Sequence, residues 1–275
     1  MVKLFDYHTL HITIEKATRS LTVYLRRPHL DQDTLDELEH MINWFSEHIE
    51  VESFVLTSIH DFFGKGLNPK EIKEKNTNEL KKFFYSLQKI ILGLLYLPQT
   101  CICDFKKGAR GTHFELSLGA DLRVAHKDAQ FCLDHLQTGL GPSCGGIGLL
   151  SALTSPSWAK NWILSGLNFD AKQLYQSGLI INTYENNVIL TKKILTHINA
   201  QSAVQKIQAK RAFLQGIRPK LEESFHQDLQ FSLAGLITED WKESALAIVE
   251  GRTPKFKSAK DVANILKSET IGQYN

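Results

Sequence analysis

Two hydrophobic periodicities alternate along the chain, and this alternation limits the possible folds more than any other feature of the sequence. Apolar and polar residues alternate through 10–25, and the polar run 16–20 within that stretch predicts a β-hairpin. Residues 35–45 carry apolar side chains at the three-and-four spacing of a helix, which Asp31 or Asp33 is expected to cap. Alternating strand and helix patterns are typical of an α/β fold with mostly parallel strand pairing.

The same alternation continues further along the chain. The additional predicted strands are 53–58, 100–103, 122–125 and 129–132, and the additional predicted helices are 78–96, 114–120 and 149–165. After about residue 200 the strand patterns stop, and helical patterns with polar faces follow. We therefore expect a core at 1–200 and a helical C-terminal oligomerisation region at 201–275.

The composition is that of an ordinary globular protein. Of the 275 residues, 43% are hydrophobic and 23% are charged, which excludes a disordered or fibrous chain. The formal net charge of +2 predicts no large basic face for nucleic acid or for an anionic membrane. The most apolar stretch, 90–97, is far shorter than the ~20 residues that cross a bilayer, and the N-terminus lacks a secretory signal pattern. We predict a cytoplasmic protein without nucleic-acid or membrane partners.

The four cysteines predict neither disulfides nor a metal site. Cys101, Cys103, Cys132 and Cys144 include no Cys-x-x-Cys pair, and no histidine pair stands at zinc-finger spacing beside them. We interpret them as reduced thiols of the core, and we expect no metal ion.

A series of motifs carries a resemblance to a known family. Residues 54–68 resemble a strand followed by a Phe-x-x-Gly-x-Asp loop, and 111–125 resemble a Gly-Gly-Gly-x-Glu-Leu…Asp-Leu-Arg-Ile-Ala signature. Residues 129–146 are similar to a Phe…Gly-Leu-x-Pro-x-x-Gly-Gly turn, 164–179 to a Thr-Gly…Ala…Gly-Leu-Val stretch, and 250–257 to a Glu-x-Arg-x-Pro-x-Phe segment. In this order and spacing the motifs resemble those of the crotonase superfamily, which contains the enoyl-CoA hydratases and isomerases.

The resemblance implies a fold, an assembly and a chemistry. The fold is a crotonase-like ββα spiral with a helical C-terminal region, assembled as a trimer or a dimer of trimers. The shared chemistry is formation of an enolate from a coenzyme A thioester, whose oxygen accepts hydrogen bonds from two backbone N–H groups. By position these donors are Leu67 and Thr112. Coenzyme A is the carrier of the substrate, and no metal or redox cofactor is implied.

The resemblance also implies the proton-transfer residues. Hydratases of the family place two glutamates around one water, and Glu115 occupies the first of these positions. The second position falls on His135, which can exchange protons near neutral pH. Glu115 and His135 are therefore the predicted catalytic pair, and His113, which flanks the predicted donor Thr112, is left outside the predicted site.

A further set of residues is predicted to line the substrate and coenzyme A path. These are Lys65, Gly66, Asn68, Lys70, Phe256 and Lys257. The sequence departs from the family at Asn68, where aspartate is usual, and at Thr112, where glycine is usual. The segment 104–110 replaces an apolar strand, and its Lys106, Lys107 and Arg110 are expected beside the two donors.

The leading prediction is a lyase or isomerase of the enoyl-CoA hydratase/isomerase family. One alternative is a hydrolase or decarboxylase of the same fold, acting on a coenzyme A or an acyl-carrier-protein thioester. Another is a catalytically degenerate protein kept for binding or assembly. Thr112, Asn68 and the absence of a second glutamate favour the degenerate protein, whereas Glu115 favours an enzyme.

Overall fold

A six-stranded sheet lies at the centre of the protein. The computed structural model describes residues 6–258, 260, 262 and 263. The strands are β1 (Leu10–Glu15), β2 (Ser20–Leu25), β3 (Ser53–Ser58), β4 (Thr100–Asp104), β5 (Gly108–Arg110), β6 (Leu122–His126), β7 (Gln130–Cys132), β8 (Phe169–Asp170) and β9 (Asn182–Tyr184). The order in the main sheet is β1-β2-β3-β4-β6-β9, and β5-β7-β8 form a second, smaller sheet.

The strand pairing confirms the predicted α/β class. The hairpin β1–β2 is antiparallel, and all the other pairs of the main sheet are parallel. Every residue of β3 is buried, because apolar clusters cover both faces of the sheet. The smaller of these clusters includes Val55, Ile102 and Leu195.

Helices alternate with the strands along the chain, and the last two helices, α9 (Ala203–Gly235) and α10 (Asp240–Glu250), form the C-terminal region. The helices before them are α1 (Gln32–Glu47), α2 (Pro69–Ile72), α3 (Thr77–Tyr96), α4 (Gly111–Ser117), α5 (Gly148–Leu153), α6 (Pro156–Ser165), α7 (Ala171–Gln176) and α8 (Asn187–Asn199). Asp31, not Asp33, caps α1, since its Oδ1 accepts the Thr34 N–H at 2.9 Å. The helical character expected after residue 200 is confirmed within the described residues, and 264–275 lie outside them.

One predicted helix is wrong. The apolar pattern of 149–165 predicted a single helix, but the structure has α5 and α6 separated at Thr154 and Ser155. Pro156 lacks an N–H and occupies the first turn of α6, and the Ser155 hydroxyl caps that helix. The helix predicted at 114–120 begins earlier, at Gly111.

The cysteines and the helix lengths agree with the sequence-based expectations. All four cysteines are buried and free of disulfides. Burial raises the pKa of Cys103 and Cys144 well above the usual thiol value, so both are protonated, inert groups. Among the described residues, no helix is both long and apolar enough to cross a membrane.

Candidate active site

A loop between β3 and α2 lies beside the start of α4. The loop is tied to β5: the Phe63 N–H donates to the Gly108 carbonyl at 2.8 Å, and the Arg110 N–H donates to the Gly64 carbonyl at 3.0 Å. Helix α4 begins directly after β5, so the same short strand positions both the loop and the helix. All seven residues of α4 are buried.

The loop and the helix bring the two predicted backbone donors together. Gly66 has a φ of +78°, a conformation that favours glycine, and a Cβ added to it would lie 3.7 Å from the Thr112 nitrogen. The N–H of Thr112 is in the first turn of α4, where helical N–H groups have no intrahelical partner. Leu67 and Thr112 both line one apolar cavity of about 50 Å³. The pairing of Leu67 with Thr112 predicted from the motifs is therefore present as a spatial arrangement.

Helix α10 covers this cavity. The cavity is bounded by loop, helix and glycine-rich segments: Leu67, Pro69, Ile72, Phe84, Gly111, Thr112, Asp134, His135, Thr138, Leu140, Gly141, Trp241, Ser244, Ala245 and Ile248. Trp241 is fully buried, and its indole N–H donates to the Leu236 carbonyl at 3.3 Å. The C-terminal region therefore contributes residues to the wall of the site within the same chain.

Glu115 is the centre of a buried hydrogen-bond network. Its side chain is fully buried, and Oε1 accepts the backbone N–H groups of Cys144 at 2.8 Å and of Gly146 at 3.0 Å. Its Oε2 lies 3.0 Å from Nε2 of His135. A buried carboxylate is costly unless it is paired, and here all of its contacts are to N–H groups. The structure thus brings Glu115 and His135 into direct contact, whereas the predicted catalytic pair would lie around one water.

The neighbouring Glu115 carboxylate favours the charged form of His135. Burial alone would lower the pKa of His135, but the charge of Glu115 and the hydrogen bond to it leave the pKa above its usual value. With Nε2 bound to Glu115, the remaining ring nitrogen is Nδ1, which is buried and has no partner among the described residues. Of the two residues, His135 lines the cavity together with Thr112, and Glu115 lies outside its lining.

His113 lies beneath the loop rather than in the cavity wall. It is fully buried, and its Nδ1 accepts the Gly66 N–H at 3.1 Å. Burial lowers the pKa of His113 to about 3, so the ring is neutral. Its position next to Thr112 in the sequence gave no indication of this contact.

Asp228 of α9 is a buried carboxylate near the candidate site that sequence reasoning missed. Its carboxylate is 3.3 Å from the N–H of Ile147 and 3.4 Å from that of Gly148, in the same glycine-rich segment that binds Glu115. Burial raises the pKa of Asp228 to about 7. Asp228 shares a buried face of α9 with Phe225 and Leu229, and no local sequence pattern indicated its contact with the glycine-rich segment.

The residues predicted for the substrate path are spread over the loop and the chain end. Lys65 places its Nζ 4.7 Å from the centre of the Phe62 ring, and Lys70 is exposed in α2. Asn68 caps α2, because its Oδ1 accepts the Lys70 N–H at 3.1 Å. Phe256 is exposed.

The remaining predicted residues lie at the start of α10 and around β5. The N–H of Lys257 donates to Asp240 at 3.1 Å, beside the start of α10. Two basic residues of the segment 104–110 have acidic partners: Arg110 pairs with Asp134 at 3.0 Å and Lys107 with Asp61 at 3.2 Å. These two pairs offset part of the basic charge expected beside the donors, and Lys106 is half-buried.

Comparisons with known proteins identify the family and the fold of this chain. The family model described as enoyl-CoA hydratase/isomerase matches residues 17–259. A short-chain-enoyl-CoA hydratase from Clostridium acetobutylicum is 26% identical over 249 residues, which cover 88% of this chain and 95% of that protein. A 2,3-dehydroadipyl-CoA hydratase from Escherichia coli is 25% identical, covering 90% and 98%. A crystal structure of an enoyl-CoA hydratase from Bacillus halodurans superposes with a TM-score of 0.80 at 20% identity, covering 87% and 99%. The chain therefore belongs to the enoyl-CoA hydratase/isomerase family and has the crotonase fold.

Proposed function

We propose that this protein is a lyase or isomerase that acts on an acyl-CoA thioester through an enolate. The observation that carries the proposal is the meeting of Leu67 and Thr112 at one apolar cavity. Backbone N–H groups aimed at a developing negative charge stabilise it without reorganisation, most strongly where water is excluded. The thioester oxygen would lie between these two N–H groups, and the acyl chain would follow the apolar wall.

The pair formed by Glu115 and His135 would carry the protons. In hydration of a double bond next to a thioester, water loses a proton as its oxygen adds to the β-carbon. The resulting enolate then takes a proton at the α-carbon. Glu115 is the proposed main proton-transfer residue, and His135 is its partner or orients the water. Their direct contact at 3.0 Å beside the cavity supports these roles.

Coenzyme A is the proposed carrier, and its polar part would extend toward the solvent. Lys65, Lys70 and Lys257 offer positive charge for phosphates, and Phe256 offers an exposed ring for the adenine. We propose a homo-oligomer, a trimer or a dimer of trimers, in the cytoplasm. Exposed apolar side chains on α9, such as Phe213 at 80% exposure, support a subunit contact there.

A catalytically degenerate binding protein is the second candidate, and one observation favours it. Both oxygens of Glu115 are already occupied, Oε1 by two backbone N–H groups and Oε2 by His135. A base in the predicted role must release at least one contact to reach water. The small volume of the cavity points in the same direction.

Hydration of crotonyl-CoA by the purified protein tests the proposal, with calorimetric titration of crotonyl-CoA and free coenzyme A in parallel. Turnover together with binding supports the lyase. Binding without turnover supports the hydrolase, decarboxylase, carrier-protein or degenerate alternatives. If neither thioester nor coenzyme A binds, the proposed function is wrong.

A further inference from the structure

His113 connects the two segments that supply the proposed donors. It is neither a predicted site residue nor in the cavity wall, yet it contacts the loop on one side and belongs to α4 on the other. We propose that His113 is a positioning residue of the oxyanion hole, which fixes the direction of the Leu67 N–H relative to that of Thr112. This inference rests on the function proposed above and adds a residue to it.

The direction of the Leu67 N–H follows from the bonds made by Gly66. The Gly66 N–H donates to Nδ1 of His113 at 3.1 Å, and the Gly66 carbonyl accepts the Leu30 N–H at 3.0 Å. In a trans peptide the carbonyl and the following N–H point in opposite directions. The Leu67 N–H therefore points away from Leu30. Both sides of Gly66 are anchored, so its φ of +78° and the next peptide plane are fixed.

The same histidine is adjacent to the second donor in the sequence. Thr112 and His113 are consecutive residues of the first turn of α4, where the backbone is rigid. The hydrogen bond from the Gly66 N–H to the His113 ring therefore keeps the loop at a fixed distance from the Thr112 N–H. Because catalytic donors must keep their geometry to within about half an ångström, such a connection has a direct effect on the rate.

The surroundings of the ring are built for this contact. Gly64 lies directly against it: a Cβ added there would be 1.9 Å from the ring carbon Cδ2 of His113. Phe63 packs edge-on against the ring, with 5.8 Å between the ring centres. The burial that lowers the pKa keeps Nδ1 unprotonated, as an acceptor must be. The His113 ring therefore packs tightly against Gly64 while its Nδ1 is available as a hydrogen-bond acceptor.

The alternative is that His113 only fills space in the core. Two substitutions distinguish this packing role from the positioning role. His113→Phe keeps the volume and the aromatic shape but removes the acceptor. His113→Asn places an oxygen near the position of Nδ1 and keeps an acceptor within a smaller side chain. If His113 acts by packing alone, the phenylalanine variant should keep more activity. If His113 acts as a hydrogen-bond acceptor, the asparagine variant should keep more activity.

A matched control exists elsewhere in the protein. His126 of β6 also uses Nδ1 to accept a backbone N–H, that of Asp128, at 3.1 Å. It lies outside the cavity wall. His126→Phe therefore removes the same kind of hydrogen bond without touching the proposed site, and it should leave crotonyl-CoA turnover unchanged.

The experiment measures amide hydrogen exchange of the segment 62–68 and the kinetics of crotonyl-CoA hydration in all three variants. For His113→Phe we expect faster exchange in that segment and a kcat lowered about 10- to 100-fold, with KM within about threefold of the wild type, because the donors act on the transition state. His113→Asn should keep kcat within about fivefold of the wild type.

Three outcomes decide the proposal. It is overturned if His113→Phe exchanges and turns over like the wild type, or if the asparagine variant loses more activity than the phenylalanine variant. If the wild type itself turns over no thioester, the proposed function has failed separately. Hydrogen exchange still tests the contact in that case, since unchanged exchange in His113→Phe would overturn the positioning role and faster exchange would support it.

Discussion

Two buried histidines lie at or next to the candidate site, and their pKa values are shifted in opposite directions. His113 is fully buried and His135 is 4% exposed, so the loss of hydration is similar for both. The pKa of His113 is lowered to about 3 by burial, whereas that of His135 is raised despite burial. The difference comes from the partner: a backbone N–H for one ring and the Glu115 carboxylate for the other. Burial penalises the charge in both places, but the nearest hydrogen-bond partner decides the outcome.

The candidate site has two halves, the backbone donors and the side chains proposed to transfer protons, and the two differ in which substitutions they should tolerate. The donor half consists of backbone groups, which tolerate changed side chains such as Leu67 and Thr112 as long as the backbone keeps its direction. The proposed proton-transfer half would depend on the specific side chains of Glu115 and His135, and Glu115 accepts two backbone N–H groups of the glycine-rich segment. Substitutions should therefore affect geometry in the first half and charge in the second.

The largest expected effect is that of Glu115→Gln. The amide cannot take a proton from water and cannot stabilise a charged His135, so we expect the kcat for crotonyl-CoA hydration to fall about 10²- to 10⁴-fold. The pKa of His135 should fall at the same time, because the carboxylate raises it in the wild type. Steady-state kinetics and histidine titration by NMR measure the two effects.

Glu47→Gln is the control for that variant, since Glu47 is an exposed residue at the end of α1. It should change neither kcat nor the His135 titration. If Glu115→Gln retains full activity, the assignment of proton transfer to Glu115 is wrong.

The next effect is on stability, in the donor half. Gly64→Ala would place a Cβ 1.9 Å from the buried ring of His113, and we expect a loss of about 1–3 kcal/mol in the free energy of unfolding. The double variant with His113→Ala should be more stable than the sum of the two single changes predicts, because the smaller side chain makes room. Urea unfolding measures all three variants, and strict additivity would show that Gly64 and His113 do not constrain each other.

The two histidines should also give opposite pH dependences of stability. The folded pKa of His113 lies below its unfolded value of about 6.5, so the stability it provides is present above that pH and is lost as the pH falls toward 3. His135 has a raised pKa, so its contribution is present below pH ~6.5 and is lost as the pH rises through the folded value.

In the wild type, the free energy of unfolding should decrease as the pH falls below 6.5, because His113 resists protonation in the folded state. In His113→Phe the slope of this decrease should be smaller by up to about 1.4 kcal/mol per pH unit. Urea unfolding from pH 4 to pH 6.5 measures this slope. An unchanged slope would mean that His113 is not a neutral, buried group in the folded protein.

The smallest expected effect concerns Asp228. Its pKa of about 7 lies above the unfolded value, so this carboxylate destabilises the fold increasingly as the pH rises from about 4 to 7. Asp228→Asn keeps an oxygen for the N–H groups of Ile147 and Gly148 and removes the charge. We expect a rise in Tm of about 2–4 °C at pH 8 and none at pH 4. A lower Tm at pH 8 would show that the charged form is the stabilising one.

The periodicity of the sequence predicted the fold more fully than it predicted the site. The strands, the hairpin and α1 follow from local patterns, because the spacing of their own apolar residues determines which side chains are buried. The break at Pro156 was missed because the apolar pattern runs through it, although proline is itself the signal.

In the site, the motifs predicted Leu67, Thr112, Glu115 and His135 as neighbours, since a family pattern records spatial neighbours. The structure places them close together, and their catalytic roles stay a prediction. The contact of His113 with Gly66 and the contact of Asp228 with the glycine-rich segment span 47 and 80 residues of sequence, respectively. Such contacts depend on how the helices pack. Local patterns do not contain that information.

The central claim is that two backbone N–H groups stabilise an enolate at this cavity. Titration with acetoacetyl-CoA, which forms an enolate readily, tests it most directly when it is compared with free coenzyme A by calorimetry and by the ultraviolet absorbance of the bound enolate. We predict that acetoacetyl-CoA binds more tightly than coenzyme A and that the enolate absorbance appears on binding and weakens in His113→Phe. Equal affinities with no enolate absorbance in the wild type would contradict the account.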